Sequence, residues 1–513
     1  MVKLFTFVVA AIAIIFPAAQ AGRTFEYKTL DYDYAFDEDA EAPRSMIMMI
    51  PDGTGPNIFT MARTVLDPKL KTRLHIDPLL MGQVQTHSST SYVTDSASSA
   101  TAYATGFKTY DRAIGVDHFQ QPLGTILEAA KARGMITGMV VTSRVTHATP
   151  ASFASHVTER DNEAEIARQY VQNKNVDFLL GGGAKFFTDV MLSELTGSGY
   201  TLVKNYGQLM DYKNQNEASG KLRIVGLFHK SHMSYEVDRV REQNATQNGQ
   251  NDREPSLPEM VDTILSILKN NPVAQKKGFF MLIEGSRVDH AGHSNDPGTM
   301  AKEAIAFDET VGVVKDYINS HPNTGLVSAA DHGTGGITLG RDGIYAWDPE
   351  ALQKQLMSTE WMYNKLTDVL SKDCASANNE TCKAKLLETS TSLLKLYTNV
   401  TAPTEADTTV LVKEIATAVD KTRDLNNVMI ELGHVISKPA LIAWSTIGHV
   451  GTDVDLHCMG PSVLERMCKG LHENTYLTKI MANYLNLAHG LEVETLRLRN
   501  FTTLEHEPEA AHH

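Results

Sequence analysis

Residues Ser45–Ile50 form a short apolar run that stops abruptly at Pro51-Asp52-Gly53. So brief and unbroken a run reads as a strand buried on both faces, closed by a turn at its carboxyl end. The pattern recurs along the chain. A helix over residues 123–132 stops at Gly134, and a strand follows over 135–142. Helices over 163–172, 259–269 and 300–318 lead to strands over 176–180, 279–283 and 325–329. Such alternation predicts βαβ units, hence an α/β fold with a mostly parallel central sheet and helices on both faces. In such sheets ligands bind beyond the carboxyl ends of the strands. Asp52 follows the first strand, Arg144, Thr146, His147 and Thr149 another, Glu284 a third and Asp331-His332 a fourth. A core gains nothing from acids and imidazoles gathered at one end, because unpaired buried charge is costly. We read the arrangement as one active site.

The remaining chain divides around this frame. Lys3, the apolar run from Phe5 to Ile15, Pro17 and the Ala19-Gln20-Ala21 cleavage site read as a signal peptide over 1–21, implying a secreted, extracellular or periplasmic protein. Residues 22–44 read as an N-terminal arm. Residues 45–341 form the first part of the main domain, with a loop-rich insertion over 185–255. Residues 342–427 form a second, helical insertion. The main domain resumes over 428–490, with strand-like residues 440–444 and a helix over 476–487, and 491–513 are a polar tail. The 513 residues carry 61 acidic and 47 basic side chains, a net charge of −14 that argues against non-specific nucleic-acid binding. No transmembrane run is expected. Local pairing of Cys374 with Cys382 and of Cys458 with Cys468 is the simplest of three connectivities. Sequons stand at Asn244, Asn379, Asn399 and Asn500.

Five clusters carry candidate chemistry, and each has a plainer alternative. Asp95-Ser96, followed by small residues, suits a helix N-terminus that binds an anion, or an ordinary N-cap. Asp289 and His293 share a helix face and can grip one metal ion, with His290 offset toward another shell; a solvated helix start is the alternative. Asp331 and His332 can ligate one ion where the strand breaks at Gly333, or serve a turn. His449, alone, is more often structural. Thr146-His147-Ala148-Thr149-Pro150-Ala151 and Arg160 offer a hydroxyl ligand and a guanidinium suited to phosphate, or a polar loop. Together they match phosphoryl transfer assisted by metals, and no G-x-S-x-G, P-loop or H-E-x-x-H segment competes.

With Pro51-Asp52-Gly53-Thr54-Gly55, Asp95-Ser96-Ala97, T-H-A-T-P-A, E-G-x-x-x-D-H-x-G-H, A-D-H and H-x-G-x-D-V in this order, the chain resembles the alkaline phosphatases over roughly residues 45–340 and 440–487. The resemblance implies a homodimeric phosphomonoesterase with two Zn2+ and one Mg2+ per subunit. Asp289, His293 and His449 would hold the first zinc. Asp52, Asp331 and His332 would hold the second, joined by Ser96 when ionised. Asp52, Thr149 and Glu284 would hold magnesium, with His147 outside them. Ser96 would be the nucleophile that forms a phosphoserine intermediate, and Arg160 would clamp the phosphate. Many animal relatives carry a second His two residues after the A-D-H motif, where this chain has Thr334. The insertion over 342–427 resembles in placement the crown of some relatives. The competing expectations are a phosphodiesterase or another hydrolase of the superfamily, or an inactive phosphate- or mineral-binding protein. The segment around Ser96 lacks the C-x-P-x-R or S-x-P-x-R of sulfatases.

Overall fold

The computed structural model describes residues 43–245, 251–374 and 378–487, together with residues 491, 494, 495 and 498. The signal peptide, almost all of the arm and of the tail, and the Asn500 sequon lie outside the described residues.

The strands, in chain order, are β1 Ser45–Ile50, β2 Leu80–Gln85, β3 Ile136–Arg144, β4 Phe178–Gly182, β5 Thr201–Val203, β6 Ile224–Leu227, β7 Phe279–Glu284, β8 Thr324–Ala329, β9 Gly333–Thr334, β10 Thr338–Leu339, β11 Ile442–Ala443, β12 His449–Val450, β13 Val454–Met459 and β14 Gly470–Glu473. Ten of them form the central sheet in the order β14-β2-β13-β8-β1-β7-β3-β4-β6-β5. Every pairing is parallel except those of β13, which runs antiparallel between β2 and β8. The mostly parallel α/β expectation holds.

The burial of β1 explains its unbroken apolar character. Met46, Met48 and Ile50 join the core on one face, Ile47 and Met49 the core on the other. A strand covered on both faces loses the alternation of polar and apolar residues. The flanking helices follow their caps. Thr125 closes a capping box with Glu128 at the start of Ile126–Ala132, and Ser256 does so with Glu259 at the start of Leu257–Leu268.

Two segments differ from expectation. The stretch 185–255 is not an insertion lying over the sheet: it supplies β5 and β6, which extend the sheet beyond β4. Its polar surroundings hid them, because strands of three and four residues at a sheet edge need little apolar sequence. Residues 440–444 do not rejoin the central sheet; β11 pairs with β10 in a two-stranded ribbon, and the return strand is β13. The helical insertion has its own core, in which Met362, Leu366, Leu386, Leu411, Val428 and Leu432 are buried. Because helix Asn426–Ser437 contributes to that core, the bundle extends beyond residue 427. Both cysteine pairs are local disulfides, Cys374–Cys382 and Cys458–Cys468.

Candidate active site

The carboxyl ends of β1, β7, β8 and β3 bring the predicted residues together. Asp52, Glu284, Asp331 and Asp289 are buried, the most exposed of them at 3%. Gly53 allows this crowding. Its φ of +71° suits glycine, and a Cβ there would stand 2.7 Å from Asp289 Cα. Its amide donates to Asp331 Oδ1 at 3.1 Å.

Three donor groups meet around this turn. In the first, Asp289 Oδ2 lies 3.2 Å from His293 Nε2, and His449 Nε2 lies 3.2 Å from His293 Nε2. His293 Nδ1 donates to the Ile447 carbonyl at 2.6 Å, and His449 Nδ1 to the Thr94 carbonyl at 2.8 Å. Those bonds fix the tautomers, so in neutral rings both Nε2 lone pairs face one point. In the second, His332 Nε2 lies 3.2 Å from Asp331 Oδ2 and 3.7 Å from Asp52 Oδ1. In the third, Glu284 faces the Thr149 hydroxyl and the Asp52 carboxylate. The ligand atoms of Asp52, Asp331 and His332 lie within 4.8 Å of one another, as do those of Asp289, His332 and His449.

Both Asp52 oxygens, Asp331 Oδ2, Glu284 Oε1, Thr149 Oγ1 and His147 Nδ1 are buried with no hydrogen-bond partner. Orphaned oxygens of this kind cost stability unless a cation satisfies them. The donor chemistry fits: carboxylate with imidazole suits zinc, and carboxylate with hydroxyl suits magnesium.

The titration behaviour of the bare groups agrees. Burial, then the charges of Asp331, Asp289 and Glu284, raise Asp52 well above the usual carboxylate range. Burial pushes Glu284 up to about 8. Against burial, His293 and then His449 hold Asp289 well below its ordinary value. Asp289 in turn lifts His293 to about 9, while burial lowers His449 to about 4.

Ser96 opens the helix Ser96–Thr105, with Asp95 as N-cap accepting from the Ser98 amide. Every residue of this helix is buried, and its Ser and Ala side chains let neighbours approach closely. Ser99 Oγ donates to the Asp331 carbonyl at 2.9 Å and Tyr103 Oη to the Ala330 carbonyl at 2.6 Å, which bolts the helix to the end of β8. Ser96 Oγ consequently stands 3.1 Å from His332 Nε2. Arg160 Nη1 pairs with Asp95 Oδ2 at 2.8 Å, and its Nη2 reaches His147 Nε2 at 3.3 Å.

Two features go beyond the sequence reading. Thr334 Oγ1 donates to Asp289 Oδ1 at 2.5 Å and lies 3.3 Å from His332 Nδ1, so its hydroxyl links the first group to the second. His232 lies 5.2 Å from His147 and 4.3 Å from His290 between ring centroids. Burial pulls all three imidazoles down, which keeps them neutral. His232 gave no signal of its own, since it and His229 lie in a polar stretch that carries no ligand motif.

Residues 43–487 match the alkaline phosphatase family. The repressible alkaline phosphatase of Saccharomyces cerevisiae is 33% identical over 498 residues, covering 88% of this chain and 83% of the yeast protein. Alkaline phosphatase 3 of Bacillus subtilis is 32% identical, covering 85% and 87%. The crystal structure of a cold-active alkaline phosphatase from a psychrophilic Shewanella superposes with a TM-score of 0.70 at 31% identity, covering 86% of this chain and 99% of that one. The Thermus thermophilus alkaline phosphatase gives 0.73 at 25% identity, covering 90% and 96%.

Proposed function

The chain belongs to the alkaline phosphatase family, and from that premise we propose that it hydrolyses phosphate monoesters through a phosphoserine at Ser96, in a site that holds two Zn2+ and one Mg2+. The observation that carries the reading is the convergence of orphaned carboxylate and hydroxyl oxygens beside Ser96. Asp289, His293 and His449 would hold the first zinc, Asp52, Asp331 and His332 the second, and Asp52, Thr149 and Glu284 the magnesium. Bound there, the metals would lower the pKa of a coordinated hydroxyl and offset the charge of the phosphate oxygens.

The protein's own groups do the rest. Ser96 Oγ attacks phosphorus, the bond to the ester oxygen breaks, and the leaving alcohol takes up a proton. Water then breaks the phosphoserine bond, releases phosphate and restores Ser96. With the Ser98 amide taken by Asp95, the amides of Ser96 and Ala97 are the first-turn N–H groups of helix Ser96–Thr105 that would meet a phosphate, as helix N-termini do. Arg160, held by Asp95, offers its remaining N–H groups to the same oxygens. His147 and His290 lie outside the magnesium group and stay neutral, so they add no charge beside it. The sequence signals support secretion, and the family resemblance supports a homodimer.

The test is hydrolysis of p-nitrophenyl phosphate beside bis-p-nitrophenyl phosphate and p-nitrophenyl sulfate, at alkaline pH. Each runs before and after chelation and zinc–magnesium readdition. Monoester turnover that is lost on chelation and restored by metal is expected. A preference for diester or sulfate would overturn the monoesterase reading, and a zinc-loaded protein with no turnover would favour the binding-protein reading.

A further inference from the structure

The first zinc group is assembled from two distant parts of the chain. Asp289 and His293 come from helix Arg287–His293, and His449 comes from β12. Something must hold those parts at a fixed separation, since the His293–His449 distance decides whether one ion can reach both rings. His293 bonds the Ile447 carbonyl and Thr334 bonds Asp289 beside β12, and Asn295, two residues beyond the helix, also touches both parts. Its Nδ2 donates to the Gly292 carbonyl at 2.9 Å and to the Thr446 carbonyl at 3.0 Å. The next residue, Ile447, provides the carbonyl that orients His293. Both partners of Nδ2 are carbonyls, so the amide has one allowed orientation, with Oδ1 facing His434 Nε2 at 2.9 Å. His434 belongs to helix Asn426–Ser437 of the helical bundle.

The backbone is adapted to this role. Asn295 is 1% exposed and sits at φ +49°, a left-handed conformation that Asn tolerates better than most residues. Gly433 packs directly on it; a Cβ there would fall 2.4 Å from the Asn295 carbonyl oxygen. The bundle thus meets the zinc helix at its C-terminal end through a glycine contact and a histidine bond.

We propose that Asn295 is the positioning residue that sets the span of the first zinc group, and that the helical bundle acts on that group by holding Asn295 through His434. The inference rests on the metalloenzyme reading above. It assigns a task to the bundle, whose own core contains none of the candidate ligands.

The test measures zinc bound per chain across a series of buffered free-zinc concentrations, on the full-length protein. Asn295→Gly keeps the left-handed backbone and removes the amide fork. One zinc should bind about 10- to 100-fold more weakly, the usual cost of losing a group that orients a ligand, while the other is unchanged. Asn295→Asp retains the acceptor but not the NH2 donor and should behave alike, providing a second variant if the glycine fails to fold. His434→Ala should weaken the same ion by less, and His434→Gln, which keeps a donor, should recover most of that loss. Asn295→Gly combined with His434→Ala should be no worse than Asn295→Gly alone. Two zinc ions held at wild-type affinity by folded Asn295 variants would overturn the positioning role. Additive losses in the double variant would overturn the link to the bundle. A wild-type protein that takes up no zinc would instead overturn the metalloenzyme reading, and this inference with it.

Discussion

Glu284→Gln should stabilise the metal-free protein and abolish any stabilisation that added magnesium gives the wild type. Glu284 is fully buried at the end of β7, with Oε1 unpartnered, and burial lifts its carboxyl to about 8 from an ordinary value of 4.5. Between those two pH values the folded metal-free state retains a proton that the unfolded chain has released. Its stability is therefore greatest at or below pH 4.5 as far as this group is concerned, and falls as pH rises toward 8. The interval from 4.5 to pH 7, at about 1.4 kcal/mol per pH unit, comes to roughly 3 kcal/mol. Asp52 beside it is shifted in the same direction. A glutamine keeps the shape, carries no charge and can donate its NH2 to Asp52. The assay is urea unfolding of chelated wild type and Glu284→Gln at pH 5 and pH 8. The wild type should lose ground to the variant by roughly 3 kcal/mol or more between the two. Added magnesium should then stabilise the wild type and leave the variant unmoved. Equal stability of the two chelated proteins at pH 8 would refute the argument that the carboxylate is strained without a cation.

Other outcomes follow from the same geometry. Ser96→Ala should abolish the acid-stable phosphoenzyme trapped by quenching with labelled substrate, and reduce kcat roughly 100-fold or more. Arg160→Ala should weaken inhibition by inorganic phosphate about 10- to 100-fold, the value of a charged hydrogen bond, with zinc content unchanged by metal analysis. Thr334→Val keeps the shape and removes the hydroxyl bonded to Asp289; zinc affinity by chelator competition should fall about tenfold.

The legible parts of the fold were those whose sequence is forced by burial on both faces. β1, β3, β4, β7 and β8 are central and read as apolar runs. β2, β5, β13 and β14 did not, for a physical reason. β2 is half-wet and carries Gln83 and Gln85, while β13 carries Asp455 and His457. The candidate site was legible because its chemistry demands charged groups directly after apolar strands, as at Ile50–Asp52 and Ala329–His332. His232 escaped because the strand it follows, β6, was itself hidden in a polar stretch, and Asn295 because it follows a helix and makes its contacts with residues far along the chain. Thr334 stood out as a departure, but its hydroxyl bonds to Asp289 and His332 needed the β9–β12 ribbon to be seen.

The antiparallel strand β13 bears on the order in which a ribosome can build this protein. It lies between β2, made from residues 80–85, and β8, made from residues 324–329. Until residues 454–459 emerge, β2 has no seat in the sheet and β8 keeps an open edge. A growing chain therefore carries the half-polar β2 unpaired for most of its synthesis, and once β8 has paired with β1 it carries an open apolar edge as well, the state in which strand edges recruit other chains. His449, just upstream of β13, arrives equally late. Truncation before this point would leave a strand-paired fragment without His449 among the candidate metal ligands, so the seat for β2 and the last of those ligands appear at nearly the same step of translation.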